Sequence, residues 1–191
     1  MNVDGIILAA GLSVRMGTNK LLLPFRGKPL LQHAIDLAAS LPLASLTLVT
    51  REETLAGLSV PKGLRVAINP DPGAGQSGSM RLGLAHAQGG GYLFFQGDQP
   101  LLDAATARAV LALADAENIV LPAYGGVPGN PVYFAAAYRD ALLGVHGDCG
   151  GRAVRDRYKE RCRVVEVPGP APLLDIDTPE QYKSLLEMYP G

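Results

Sequence analysis

The sequence predicts an α/β fold, a Rossmann-like three-layer α/β/α sandwich in which helices cover both faces of a mostly parallel central sheet. Short apolar runs of the strand type alternate with longer helical stretches, and most of these runs lack a polar face. Strands that are apolar on both faces are typical of parallel sheets covered by helices. Ligands of such sheets bind beyond the carboxyl ends of the strands, so the loops that follow strands are the expected place for a site.

The predicted elements alternate along the whole chain. The strands are expected at residues 5–10, 45–50, 64–69, 92–96, 118–123, 130–134 and 163–167. The helices are expected at residues 29–40, 79–88, 103–116, 135–144, 151–160 and 178–189. Ser79, Asp103 and Thr178 are side chains typical of helix N-caps, and Pro179 suits a first helical position.

The composition indicates one folded domain over residues 1–191. Hydrophobic residues make up 48% of the chain and charged residues only 18%, which excludes a disordered chain. The net charge of −1 argues against nucleic-acid binding, which needs a basic face. Two cysteines without metal-site spacing predict a reduced, cytoplasmic protein. The N-terminal apolar run is too short to cross a membrane, so no membrane partner is expected.

The loop after the first strand, within "LAAGLSVRMGTNKLLLPFRGKPLL", predicts an anion site. Arg15 and Lys20 supply positive charge, and Gly11 and Gly17 let the backbone N–H groups approach a phosphate. The alternative is a surface loop with two solvated cations. A Walker-type P-loop is excluded, because the second glycine comes one residue late and no lysine follows it.

A second glycine-rich segment, "GAGQSG", matches the dinucleotide fingerprint G-x-G-x-x-G. It follows a predicted strand, precedes a helix and has Asp98 about 20 residues further on, as that fingerprint requires. However, "NPDP" separates the strand from the glycines, where the fingerprint has a tight turn. A dehydrogenase therefore remains an alternative at this point.

An ordered set of motifs resembles the MobA-like nucleotidyltransferase superfamily, and within it the molybdenum cofactor cytidylyltransferase branch. The motifs are the first loop, "GQSGSMRLGL", "QGDQPLL", "PAYGGVPGNPVYF", "GDCGGR" and "DIDTPEQY", and they span most of the chain. The resemblance implies a GT-A-like nucleotidyltransferase fold. It also implies an Mg²⁺-dependent enzyme.

The resemblance assigns roles residue by residue. Arg15 and Lys20 would be catalytic, and Asp98 and Asp177 would hold Mg²⁺. The alternatives are a turn or N-cap residue for Asp98 and a capping residue for Asp177. The implied nucleotide-binding residues are Leu8, Ala9, Ala10, Gly11, Ser13, Arg15, Met16, Gly17, Lys20, Gln76, Ser77, Gly78, Ser79 and Asp98.

The acceptor would contact Asn130, Pro131, Asp148 and Arg152, with His146 a weaker candidate. The branch usually has Gly-His-Pro where this chain has Gly-Asn-Pro, which leaves the acceptor's identity open. Arg81 is expected to face either phosphate or solvent, and Cys149 to be inert. His33 and His86 fall inside predicted helices as packing or surface residues.

The function implied is transfer of CMP from CTP to the phosphate of a molybdopterin-type cofactor, with release of pyrophosphate. "LAAG" favours the smaller base, because the guanylyl branch usually has "LAGG" and Ala10 leaves less room than glycine. Alternatives are GTP as donor, another nucleotide with a sugar or polyol phosphate, or a non-catalytic nucleotide-binding regulator. A molybdoenzyme or its chaperone is the expected recipient of the product.

Overall fold

The computed structural model describes residues 2–190. The strands are β1 Val3–Ala9, β2 Pro24–Phe25, β3 Lys28–Pro29, β4 Ser45–Thr50, β5 Arg65–Ile68, β6 Gly91–Gln96, β7 Ile119–Tyr124, β8 Val127–Pro128, β9 Val132–Ala135 and β10 Cys162–Glu166. The α-helices are α1 Leu30–Ala39, α2 Glu52–Leu55, α3 Gln76–Ala85, α4 Ala104–Ala112, α5 Arg139–Leu143, α6 Gly150–Arg157 and α7 Pro179–Met188.

The central sheet has eight strands in the order β10-β7-β9-β6-β1-β4-β5, with β8 paired to β7. The pairs β1–β4, β1–β6, β4–β5 and β7–β10 are parallel, whereas β9 runs antiparallel between β6 and β7. This arrangement confirms the mostly parallel sheet. Because β9 is reversed, its beginning lies at the same edge as the carboxyl ends of β6 and β7. Asn130, just before β9, therefore reaches the edge where ligands bind.

Helices pack on both faces of the sheet, as predicted. Every residue of β1 is buried, and alternate residues of a strand face opposite sides. Ile6 lies against Gly83 of α3, whereas Ala9 and Gly97 lie beside Leu31 of α1. The apolar runs of β1, β4 and β6 form the main core together with these helices.

A second, smaller core fixes the C-terminal segment beside the first loop. Phe25, Leu30, Ile176 and Leu185 are almost fully buried together. The backbone N–H of Ile176 donates to the carbonyl of Asp98 at 3.1 Å. This packing holds the segment before α7 against the corner that follows β6.

The helix caps follow the sequence with one exception. Asp103 caps α4, and Thr178 forms a capping box with Gln181 at the start of α7. The prediction of Ser79 as an N-cap is wrong. Helix α3 begins three residues earlier, after Gly75, and Ser79 is buried inside it.

The sequence did not predict the short elements α2 and β8 or the two-stranded β2–β3 pair. Within residues 2–190, no helix has the length and apolar character needed to span a membrane.

Candidate functional site

The first loop turns sharply beyond β1 and is anchored by one apolar side chain. Ser13 and Gly17 both have positive φ, 53° and 66°, on either side of a short 3₁₀ turn. Leu21 is 3% exposed and packs into the core. Leu21 therefore anchors the loop in the core at the position next to Lys20.

Lys20 bridges two carboxylates from distant parts of the chain. Its Nζ donates to Oδ2 of Asp98 at 2.6 Å and to Oδ1 of Asp177 at 2.7 Å. Arg15 approaches the other oxygen of Asp177, with Nη2 to Oδ2 at 2.9 Å. The Lys20 side chain is only 12% exposed, whereas that of Arg15 is 67% exposed. Two cations and two carboxylates thus meet at the carboxyl edge of the sheet.

Contacts within this cluster shift the pKa values of Lys20 and Asp177. Burial alone would lower the pKa of Lys20, but the attraction of Asp98 and the hydrogen bond to Asp177 raise it instead. For Asp177, burial acts to raise the pKa, and the hydrogen bond and charge of Lys20 lower it overall. Lys20 is therefore an ammonium and Asp177 a carboxylate at neutral pH.

Asp98 follows a closely packed glycine at the end of β6. Gly97 is packed so closely on Leu31 and Ala9 that a Cβ atom would lie 2.9 Å and 3.0 Å from their side-chain carbons. Residues 97 and 98 form a turn directly after β6, and this turn presents Asp98 beyond the sheet edge.

The carboxylate pair suits a divalent cation. Oδ1 of Asp98 is buried and, among residues 2–190, has no hydrogen-bond partner. An orphaned carboxylate oxygen beside a second carboxylate suits a hard divalent cation. The described residues gather no cluster of three or more His, Cys, Asp or Glu ligands. A cation here would complete its shell with water and phosphate oxygens, as Mg²⁺ commonly does.

Asp175 adds a third acidic side chain nearby. Its side chain lines the cavity wall. Desolvation in the cavity and the negative charges of Asp98 and Asp177 raise the pKa of Asp175 to about 6. The segment that carries Asp175 and Asp177 is an irregular stretch rather than a strand, and both side chains line the same cavity.

A cleft of about 490 Å³ opens above the first loop. Of the predicted nucleotide-binding residues, ten line it: Leu8, Ala9, Ala10, Gly11, Ser13, Arg15, Lys20, Gln76, Ser79 and Asp98. Met16, Gly17, Ser77 and Gly78 do not. The Ser77 side chain is fully buried, so any contact of Ser77 with a ligand in this cleft runs through its backbone.

A second cavity of about 300 Å³ adjoins the cleft. Asn130, Asp148 and Arg152 line it, as expected for acceptor-binding residues, whereas Pro131 is buried behind Asn130 and His146 does not line it. The two cavities share six residues, namely Leu8, Gln76, Gln96, Asp98, Asp148 and Asp177. The Lys20–Asp98–Asp177 cluster therefore lies where the two cavities meet.

Several wall residues of the second cavity were missed by sequence reasoning. Gln96 and Met80 lie within regular elements, and the Phe94–Phe134 pair, with ring centroids 5.9 Å apart, comes from β6 and β9. Arg155 lies in a segment expected to face the acceptor but was not singled out within it. Alternation along β6 could have revealed Phe94 and Gln96, which lie two residues apart and thus on one face.

The loops on the two sides of this junction are interlocked. Gly75 has φ +80°, and a Cβ atom there would lie 2.5 Å from Oδ1 of Asp148 and 2.7 Å from the backbone of Gly147. Gly150 has φ +51° and lies directly against the side chain of Gln76. The glycine-rich segment before α3 and the one before α6 therefore touch through two glycines.

The remaining candidate side chains have other neighbours. Arg81 donates to the carbonyl of Val145 at 2.7 Å rather than facing a phosphate site. His33 packs on the Phe25 ring, and His86 is exposed at the far end of α3. Cys149 is exposed and lines the second cavity.

Comparison with known proteins identifies the family and the fold of the chain. The sequence pattern of the MobA-like NTP transferase domain matches residues 5–162. The chain belongs to this family. The family is one of nucleotidyltransferases, so the dehydrogenase alternative for "GAGQSG" falls away.

Relatives of this MobA-like transferase cover nearly its whole length. The purine catabolism protein PucB of Bacillus subtilis is 31% identical over 93% of each chain. The molybdenum cofactor cytidylyltransferase of Escherichia coli is 27% identical, over 98% of this chain and 97% of its own. A molybdenum cofactor guanylyltransferase of Shewanella sediminis is 29% identical over the same shares. Identity to the cytidylyl and guanylyl relatives is thus nearly equal.

Solved structures show the same fold. Rv0371c of Mycobacterium tuberculosis is 30% identical and superimposes with a TM-score of 0.87 over 98% of both chains. The complex of that protein with manganese gives a TM-score of 0.84 at 29% identity, over 98% of this chain and 99% of the other. These matches confirm the predicted α/β nucleotidyltransferase architecture.

Proposed function

We propose that this MobA-like transferase is an Mg²⁺-dependent cytidylyltransferase that transfers CMP from CTP to the phosphate of a molybdopterin-type cofactor. The observation that carries the proposal is the Lys20–Asp98–Asp177 cluster at the junction of two cavities. One cavity has the size and charge for a nucleoside triphosphate, and the other leads to the same point. Donor and acceptor would therefore meet at the cluster.

The cations of the first loop would bind the triphosphate. Lys20 keeps its proton at neutral pH because Asp98 and Asp177 raise its pKa. Arg15, which is largely exposed, presents a planar fork suited to phosphate oxygens. As the bond to the leaving pyrophosphate breaks, these two cations stabilise the charge that develops on it.

Asp98 and Asp177 would hold the metal ion, since Oδ1 of Asp98 is an orphaned carboxylate oxygen. A bound Mg²⁺ would supply positive charge to the oxygens of the α- and β-phosphates. The manganese complex of Rv0371c supports a divalent ion in this fold.

The chemical step would be an in-line displacement. An oxygen of the acceptor's phosphate attacks the α-phosphorus of CTP, the new P–O–P bond forms, and the bond between the α-phosphorus and the bridging oxygen breaks. Pyrophosphate leaves with that bond's electron pair. The acceptor phosphate is ionised at neutral pH, so no proton must be removed and no protein base is required. Positioning and charge stabilisation supply the catalysis.

The second cavity would hold the acceptor. Its wall carries amide, carboxylate and guanidinium groups together with the edges of Phe94 and Phe134, and Asn130 adds an amide that can donate and accept hydrogen bonds. The similarity to the molybdenum cofactor transferases is the reason to propose a molybdopterin-type acceptor.

CTP is the proposed donor, and GTP is the second candidate. Ala10 is 3% exposed at the end of β1 and lines the nucleotide cleft. Its methyl group narrows the cleft, which favours the smaller base. The guanylyltransferase relatives are the reason to keep GTP. The proposal also includes a cytoplasmic location and a molybdoenzyme or its chaperone as recipient.

Incubation with molybdenum cofactor, Mg²⁺ and each of the four nucleoside triphosphates tests the proposal. We expect a dinucleotide product by mass spectrometry and pyrophosphate release with CTP. Product with GTP alone would identify a guanylyltransferase. Transfer only to a sugar or polyol phosphate would contradict the acceptor assignment, and nucleotide binding without pyrophosphate release would indicate a regulator.

A further inference from the structure

The cations of the second cavity all come from one helix. Among the described residues that line this cavity, the carboxylates of Asp98, Asp175 and Asp177 belong to loops after β6 and before α7, and that of Asp148 lies in the turn before α6. The only cationic side chains on its wall are Arg152 and Arg155, both on α6. Residues three apart share a helix face, and both side chains line this cavity. An anionic ligand in this cavity is drawn toward α6.

The side chain of Arg155 is partly buried and is oriented by hydrogen bonds to Asp156. Its side chain is 20% exposed, although α6 is otherwise a highly charged surface helix. Nε and Nη2 both donate to Oδ1 of Asp156, at 3.0 Å and 2.9 Å, and that carboxylate is 60% exposed. Nη1 has no partner within residues 2–190. The guanidinium is thus oriented by a neighbour and keeps donors for an anion in the cavity.

Arg155 lines the second cavity but not the nucleotide cleft, and the same is true of Arg152. The reacting phosphate would lie at the residues that the two cavities share, such as Asp98 and Gln76. Neither arginine is one of these shared residues, so both are placed to contact another part of the acceptor.

We propose that Arg155, together with Arg152, binds a second anionic group of the acceptor, distinct from the phosphate that attacks the nucleotide. The inference rests on the proposed function and narrows its substrate class. A molybdopterin-type cofactor has a second anionic centre at its metal-bearing dithiolene end, whereas a polyol monophosphate has none.

The test compares Arg155→Gln with Arg157→Gln. Arg157 is on the same helix, but its guanidinium lies 5.4 Å from the centroid of the Tyr158 ring and does not line the cavity. With CTP and molybdenum cofactor, Arg155→Gln should raise the acceptor KM about ten- to a hundredfold, the effect of losing one charge-assisted hydrogen bond. kcat and the Kd of CTP should change little. Arg157→Gln should match the wild type, and Arg155→Lys should recover part of the loss.

Molybdopterin without its metal distinguishes binding of the metal-bearing end of the acceptor from a general attraction of Arg155 for anions. With metal-free molybdopterin the KM increase of Arg155→Gln should be smaller. An unchanged KM in Arg155→Gln, or an equal increase for both acceptors, would overturn the inference.

Failure of the proposed function can be distinguished from failure of the inference about Arg155. If the wild type transfers CMP to neither acceptor, that function fails. Arg155 is then judged by titration of inorganic phosphate with pyrophosphate saturating the nucleotide cleft. Weaker phosphate binding by Arg155→Gln than by Arg157→Gln would support the inference, and equal binding would refute it.

Discussion

Lys20 places one ammonium group between two carboxylates that would otherwise repel each other. A divalent cation on Asp98 and Asp177 would in turn repel that ammonium, so Lys20 and the metal compete for the same oxygens. A triphosphate offers Lys20 another anionic partner. Nucleotide and metal are therefore expected to bind together more readily than metal alone.

Removing the ammonium should expose the metal site. Lys20→Met should bind Mn²⁺ without nucleotide at least about tenfold more tightly than the wild type, because a partly buried ion pair contributes several kcal/mol at close range. Isothermal titration calorimetry measures the affinity, and a larger rise in Tm on adding Mn²⁺ checks it independently. Lys28→Met is the matched control, since Lys28 pairs with Asp36 at 2.5 Å and lines neither cavity. Unchanged or weaker Mn²⁺ binding by Lys20→Met would contradict the competition.

Among single residues, those within recognisable motifs were easier to predict than those that only line the wall of a cavity. Arg15, Lys20, Asp98 and Asp177 belong to recognisable segments, and the structure brings all four together. Arg155 was missed because "GRAVRDRYKE" has charges all along it, and only the packing of α6 shows which charge faces a cavity.

At the scale of elements, the two interlocked loops join the donor side of the site to the acceptor side. Gln76 starts α3 and touches Gly150 at the start of α6, while Gly75 touches Gly147 and Asp148. Both loops depend on glycine for their positive φ as well as for this close approach. Movement of one loop must therefore displace the other.

Gly150→Ala should disturb both halves of the site. Its methyl group would overlap the Gln76 side chain, and relief of that overlap should cost about 1–3 kcal/mol of stability. Binding of both CTP and acceptor should weaken, measured as Kd and KM. Gly63→Ala is the control, since Gly63 also has positive φ, +92°, but has no atom near its Cβ position. If the two variants behave alike, backbone strain rather than the interlock explains the loss.

The residue pattern determined the positions of some elements but not the start of α3 or the direction of β9. The positions of β4 and α7 follow from their apolar runs and caps, within a residue or so. The start of α3 was mispredicted, because Gly75 caps it without a side chain and Ser79 is a buried residue that accepts a hydrogen bond from Asn69 at 3.1 Å. The direction of β9 was open, since an apolar strand has the same composition either way round.

At the scale of the whole molecule, the sheet assembles the site from segments that are far apart in sequence. Lys20 is separated from Asp98 by 78 positions and from Asp177 by 157. Parallel β1 and β6 are neighbours, so their carboxyl ends bring the first loop and the Asp98 corner together. The small core around Ile176 then carries Asp177 to the same point. That residues 1–191 form one domain stays a prediction.

A single-turnover assay of Lys20→Met with CTP and molybdenum cofactor tests most directly whether this cluster performs nucleotidyl transfer. The rate of pyrophosphate release should fall about 10²–10³-fold, the usual effect of losing one group that stabilises charge in the transition state. The Kd of CTP should change far less. Pyrophosphate release by Lys20→Met at nearly the wild-type rate would contradict the account.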